Sequence, residues 1–388
     1  MPAPFPPAST PQVMMKEVIV DLKREIDRSY PILIRPGLLE ETAELLAGRF
    51  NRHAFAVVSD SNLEGLYADA LAESLRAVDA PCQGPIVFPA GEQSKIREVK
   101  QQVEDSMFAA GLGRDTVVIA LGGGVVGDLA GFVAATYARG VKLVQVPTSL
   151  LAMVDSSIGG KTGLDVPWGK NLVGAFYQPA LVIIDPRALS TLAKEHFTAG
   201  FAEIVKHGVI RDASLFDFLE KRLGELKPEN EELMAELIAR NCRIKASVVS
   251  ADEREGNLRQ VLNFGHTVGH AVETLSGYRW LHGQAVSCGM VVEAEAAVLL
   301  DLLPVEHLRR IENILSELGL PVDLDPLQVR VERVLELTRL DKKARKARPR
   351  YALPAEIGRM ATTPEGAYGI PVAEEVVSRA LQARGALG

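Results

Sequence analysis

Three of the 7 histidines in this chain of 388 residues fall within seventeen positions of one another. In Asn263-Phe-Gly-His-Thr-Val-Gly-His-Ala-Val-Glu273, His266 and His270 stand four apart and share one face of a helix. His282 follows in Leu281-His-Gly-Gln284. A lone histidine is more often a satisfied core or surface residue, but a cluster in a histidine-poor chain points to metal binding or acid–base work. A catalytic zinc site takes three nitrogen or oxygen ligands and keeps a position open, so one carboxylate would complete a His2Glu set. Glu203, in Ala199-Gly-Phe-Ala-Glu-Ile-Val-Lys-His-Gly208, is a candidate that shares a helix face with Lys206; locally, a surface ion pair is the competing reading.

Two glycine-rich stretches could hold anions. The run Thr116 to Leu121 passes directly into Gly122-Gly-Gly-Val-Val-Gly-Asp128 and then into a potential helix, Leu129 to Tyr137. Glycines at a strand-to-helix turn let backbone N–H groups approach a pyrophosphate, although the spacing is not GxGxxG and a bare tight turn is the alternative. Asp155-Ser-Ser-Ile-Gly-Gly-Lys-Thr-Gly163 resembles the GKT end of a P-loop without its first glycine. Lys161 and Lys170 are therefore either phosphate contacts or ordinary solvated lysines.

The elements that must position these residues fall into two halves. Phe55–Asp60, Thr116–Leu121, Val141–Val146 and Leu181–Asp185 are short runs rich in valine, isoleucine and leucine, separated by amphipathic stretches, which predicts buried parallel strands between helices. After Pro186, Asp212–Lys221, Glu231–Ser250 and Gly283–Leu302 carry helical spacing. The expected fold is an α/β N-terminal domain with a mostly parallel Rossmann-like sheet over 16–188, a mainly α-helical domain over 189–388, and a site in the cleft between them. Residues 1–15, which begin MPAPFPPASTPQ, read as a disordered tail and not as a secretory signal.

Charge and cysteine usage narrow the function. A net charge of -7 is the wrong sign for holding a nucleic-acid backbone, and no apolar run approaches membrane-spanning length. The basic segment Asp341-Lys-Lys-Ala-Arg-Lys-Ala-Arg-Pro-Arg350 has no interleaved aromatics and reads as a solvated loop or an anionic-substrate lid. Cys82, Cys242 and Cys288 lie far apart and form no CxxC pair, which suits a reducing, cytoplasmic compartment.

Several long motifs, in order, resemble the 3-dehydroquinate synthase family of sugar phosphate cyclases. They are Gly122 to Tyr137, Pro147 to Gly163, Gly169-Lys-Asn171, Ala202-Glu-Ile-Val-Lys206, Asn263 to His270, His282-Gly283 and Asp341-Lys-Lys343, within a resemblance running from about residue 55 to 360. The resemblance implies a cytoplasmic, homodimeric lyase of the shikimate route. It would use NAD and zinc, or cobalt in its place, to close a seven-carbon sugar acid phosphate into 3-dehydroquinate. It implies Glu203, His266 and His282 as metal ligands, with His270 handling protons beside them. Asp60, Glu92, Lys95, Gly123, Gly124, Asp128, Thr148, Ser149 and Thr191 are implied for the dinucleotide, and Lys161 and Asn171 for both ligands. The substrate side adds Asp155, Lys206, Lys245, Arg259, Asn263 and Lys342, with Arg139 reaching a phosphate across a dimer interface.

The chemistry implied is transient oxidation, β-elimination of phosphate, reduction, ring opening and aldol closure, with the cofactor recycled. Two positions depart from the family pattern: Gln284 where glutamate is usual after His-Gly, and Asp165 where asparagine is usual before Val-Pro-Trp-Gly-Lys-Asn171. They leave room for a cyclase acting on sedoheptulose 7-phosphate. A metal-dependent alcohol dehydrogenase of the related two-domain fold is a further alternative, as is a catalytically dead binding protein.

Overall fold

The run Thr116–Gly122 is apolar on both faces, and in the computed structural model of the chain both faces are covered. Val117, Ile119 and Leu121 point into one core, while Val118 and Ala120 point into another. The structure describes residues 27–340 and 349–388; the predicted tail and Lys342 lie outside them. Six strands form the sheet: β1 Ile32–Ile34, β2 Ala54–Asp60, β3 Cys82–Phe88, β4 Thr116–Gly122, β5 Lys142–Pro147 and, numbered after an intervening hairpin, β8 Leu181–Ile184. Their order is β1-β8-β5-β4-β2-β3, with every pairing parallel. Helices α1 Leu38–Arg49 and α2 Asp69–Ala77 cover one face, and α3 Arg97–Ala109 and α4 Gly124–Thr136 the other.

From β2 the chain proceeds to β3 at one edge, whereas from β4 it turns to β5 on the opposite side. The carboxyl ends of β2 and β4 therefore flank a topological switch point, where a crevice opens in such sheets. Asp60 ends β2 and Gly122 ends β4 at that place.

The GKT-like stretch is not a phosphate loop. Gly159 and Gly160 adopt left-handed backbone, and Lys161 then opens a strand. Strands β6 Lys161–Val166 and β7 Gly169–Phe176 make an antiparallel hairpin. A P-loop needs its lysine at a helix start, so the resemblance to GKT is local only.

The remainder is predominantly helical: α5 Lys194–Arg211, α6 Ala213–Arg222, α7 Glu231–Ala251, α8 His266–Leu275, α9 His282–Leu299, α10 Val305–Glu317, α11 Val331–Leu340 and α12 Glu374–Ala383. Short strands β9 Arg350–Ala352, β10 Pro354–Glu356, β11 Arg359–Met360 and β12 Gly369–Pro371 pair among themselves. Among the described residues no helix is long and apolar enough to cross a membrane. Helix α9 is buried nearly all round, and so is α5 from Ala199 to Ile210.

Close backbone approach sets how these helices meet. A Cβ on Gly283 would stand 1.9 Å from the carbonyl oxygen of Ala199 on α5, and one on Gly289 would stand 1.9 Å from that of Gly265 before α8. Buried Glu293 of α9 accepts the backbone N–H groups of Gly265 and Val268 at 2.8 and 3.1 Å, serving the N-terminus of α8 that no local side chain caps. Glu203, His266 and His282 sit on the three helices so joined. Gly289→Ala is expected to destabilise the protein by about 3 kcal/mol or more by prising α8 from α9. Gly224→Ala, where nothing lies within 4 Å, should be near neutral. Denaturant midpoints measure both, and an unchanged midpoint for Gly289→Ala would contradict this packing account.

Candidate active site

Helix α5 carries a carboxylate where water cannot reach it. Glu203 is fully buried, and no aligned hydrogen-bond donor serves either of its oxygens. Its neighbours are cationic or can become so: Lys206 one turn on is in ion-pair contact, and Nε2 of His266 and of His282 lie 3.4 and 3.6 Å from Oε1. One ligand atom from each of Glu203, His266 and His282 falls within a span of 4.8 Å. Two imidazoles, which become neutral on taking up a metal, and a carboxylate with unserved oxygens are a donor set that fits a divalent zinc-type ion.

The local field separates the members of this set. Burial pushes the Glu203 carboxyl up, but Lys206 and the two histidines prevail and hold it well below the usual carboxylate range. Burial and Lys206 hold His266 far down. Burial also opposes charge on His282, yet its contacts with Glu203 and Glu273 raise it to about 10. His270, exposed on α8, keeps its ring centroid 5.3 Å from that of His266 and 6.0 Å from that of His282.

A second triad, Asp155, Glu203 and His207, also lies within ligand distance. Lys245 reaches Asp155 Oδ1 at 2.6 Å and Lys206 contacts Glu203, so this set already contains two ammonium groups. Cations inside it oppose a second metal. Asp155, beside Lys245, is held down to about 2 despite its burial.

On the sheet side, the glycine loop leads to α4, whose N-terminus no side chain caps. Its first-turn N–H groups are thus available to an anion at the switch point, a cradle that fits a pyrophosphate. Asp60 accepts the N–H of Asn62 at 2.9 Å and is fixed at the crevice edge. Thr148 is buried, its N–H donating to Gly122, and Ser149 Oγ accepts from Ala152. Lys95, 3% exposed, reaches Asp128 Oδ2 and Asn171 Oδ1, each at 2.5 Å, with Glu92 3.9 Å away. Gly123 and Gly124 open α4, whereas Thr191 lies on an exposed turn, bonded to Tyr67 at 2.8 Å.

In the loop after α7, one residue that the sequence reading missed organises two that it named. Glu255 accepts from Lys161 Nζ and from Asn263 Nδ2, each at 2.6 Å, from a left-handed backbone position. Arg259 is buried, donating to the carbonyls of Glu253 and Gly159 and leaving Nε without a partner. Asp252 fixes that loop by accepting the N–H groups of Gly256, Asn257 and Arg259. Arg139 does not join the cluster; it is exposed on the turn after α4, at the end remote from Gly124.

Both departures from the family pattern have local structural roles. Gln284 Oε1 accepts the N–H of Leu281 at 2.8 Å at the start of α9, a bond that an amide makes as well as a carboxylate. Asp165 Oδ1 accepts the N–H of Asn171 at 2.9 Å across the hairpin, and an asparagine oxygen could do the same.

Comparisons with known proteins identify the family. Family models described as 3-dehydroquinate synthase N-terminal and C-terminal match residues 85–199 and 200–344. The 3-dehydroquinate synthase of Caldanaerobacter subterraneus subsp. tengcongensis is 45% identical over 347 residues, 89% of this chain and 96% of its own. That of Acidithiobacillus ferrooxidans is 44% identical over 352 residues, 90% of this chain and 95% of its own. Among solved structures, the 2-epi-5-epi-valiolone synthase ValA from Streptomyces hygroscopicus subsp. jinggangensis, with NAD+ and Zn2+ bound, aligns with a TM-score of 0.84 at 30% identity, covering 94% of this chain and 98% of that one. A 2-deoxy-scyllo-inosose synthase complexed with carbaglucose-6-phosphate, NAD+ and Co2+ gives 0.82 at 26% identity, covering 92% and 97%. With two adjoining family matches spanning 85–344 and relatives aligned over about nine-tenths of the sequence, the chain belongs to the 3-dehydroquinate synthase family.

Proposed function

We propose that the chain closes 3-deoxy-D-arabino-heptulosonate 7-phosphate into 3-dehydroquinate with release of phosphate. The observation that carries this reading is the convergence of Glu203, His266 and His282 beside Lys206, within a site that also gathers Asp155, Lys245, Lys161 and Asn263. Glu203, His266 and His282 would hold zinc or cobalt, which would supply the charge that acidifies substrate hydroxyls, and the sheet crevice would hold NAD, which would supply reversible hydride transfer. Lys161, Lys245 and Arg259 meet the two anionic groups of the substrate, and Asn263 adds a directed amide. Glu255 keeps Lys161 and Asn263 in register, and Asp155 does the same for Lys245, so one substrate conformer is held for ring closure. His270, exposed at the edge of the cluster, is the proton-handling or hydrogen-bonding residue beside the metal ligands.

The same reading has the substrate as the small-molecule partner, with neither nucleic acid nor membrane required, and places the enzyme in the cytoplasm. Three cysteines without disulfides suit that compartment. It divides the chain near residue 188 into cofactor and metal halves. A homodimer accounts for Arg139, whose exposed position away from its own cluster leaves it to serve a second copy. Lys342 keeps its role by resemblance alone.

In a coupled assay of zinc-loaded protein with NAD and the sugar acid phosphate, phosphate and dehydroquinate should appear in equal amounts with no net NADH. Stoichiometric NADH would instead mean a dehydrogenase, and turnover of sedoheptulose 7-phosphate alone a different cyclase. Chelation is expected to lower kcat by at least about 100-fold, reversibly on adding Zn2+ or Co2+, and His266→Ala to abolish stoichiometric metal in elemental analysis. Glu255→Gln should lower kcat/KM by roughly 10- to 100-fold while leaving metal content at wild-type level, because it unfastens Lys161 and Asn263 without touching the triad. Equal kcat/KM values would remove Glu255 from the mechanism.

A further inference from the structure

A buried carboxylate stands behind the metal triad and has no role in the reaction described above. Glu273, on α8, places Oε2 3.4 Å from Nδ1 of His282 and Oε1 2.9 Å from Nζ of Lys170 on β7. Lys170 in turn lies 3.2 Å from Glu92 and over the ring of Tyr278, 4.5 Å from its centroid. An imidazole that gives one nitrogen to a metal donates its other N–H to a partner that fixes ring and tautomer.

We propose that Glu273 is the positioning residue for His282, holding its proton on Nδ1 so that the Nε2 lone pair faces Glu203 and His266, and that Lys170 locks the carboxylate in that orientation. The inference rests on the reading of Glu203, His266 and His282 as metal ligands. Its chemistry makes an unusual demand on substitution. Lysine only donates, so in Glu273→Gln the amide oxygen must face Lys170 and the NH2 group must face His282. A donor opposite Nδ1 makes Nδ1 the acceptor and moves the proton to Nε2, the wrong tautomer for a ligand. Removing the lysine as well, in Glu273→Gln with Lys170→Met, frees the amide to turn over and accept from Nδ1–H again.

The test titrates Co2+ into metal-free wild type, E273Q, K170M and the double variant, following the visible d–d bands, with far-UV circular dichroism to verify folding. E273Q is expected to bind about 10- to 100-fold more weakly than wild type, with altered bands. The double variant should recover to within a few-fold of K170M. A merely structural role predicts the opposite, since a second lesion would add to the first. Cobalt affinity of folded E273Q equal to wild type, or a double variant as weak as E273Q, overturns the proposal. Should E273Q not fold, nitrogen-15 histidine spectra of zinc-loaded wild type decide: His282 protonated on Nδ1 supports the proposal, and coordination through Nδ1 overturns it. Absence of cobalt binding by the wild type would overturn the metal reading itself, and this inference with it.

Discussion

The structure turns on one uncomfortable placement, the fully buried Glu203 carboxylate in the middle of helix α5. A charge taken out of water must be met by other charges or by a metal, because its desolvation costs several kcal/mol. Lys206 comes from the same helix, but the histidines come from α8 and α9, so all three helices must approach until backbones touch. The glycines at 283 and 289 permit that approach, and Glu293 spends a second buried carboxylate on the N-terminus of α8. Fold and site are thus one arrangement here: the close helix packing that excludes water from Glu203 is also what brings the ligand atoms together.

The β6–β7 hairpin joins this helical cluster to the sheet. Lys161 and Lys170 reach Glu255 and Glu273 among the helices, while Asn171 meets Lys95 and Lys170 also meets Glu92 on the sheet side. Each strand therefore carries contacts to the helical cluster, and β7 carries them to both sides of the cleft. Asp165 holds the hairpin's own turn in register through Asn171, whose left-handed backbone suits an asparagine.

Much of this was legible in the sequence, for reasons that also explain what was not. Strands β2, β4, β5 and β8 announce themselves as apolar runs because parallel strands are covered on both faces, and the histidine cluster is visible because two of its members are a helical turn apart. Strand β1 has only three residues, and β3 contains Gly84 and Pro85, which weaken a strand pattern but are tolerated at a sheet edge. The hairpin resembled a phosphate loop because glycine next to lysine is common to both. Glu255 and Glu273 find their lysines 94 and 103 positions away, and no local periodicity announces such a pairing. Gln284 looked like a change in chemistry until its capping bond gave it a backbone role.

The sheet order also bears on how the protein is made. Strand β1, near the start of the chain, pairs only with β8, the last strand of the sheet to be synthesised. Throughout translation of the intervening segment, β1 and the outer side of β5 are open edges of the kind that recruit other chains. Release of β8 covers the outer side of β5 and pairs β1, which becomes the edge of the finished sheet, and the next long helix to emerge is α5, bearing Glu203. Completion of the six-stranded sheet and arrival of Glu203 are therefore consecutive events at the ribosome, so the carboxylate that must be buried is made only once the sheet is whole.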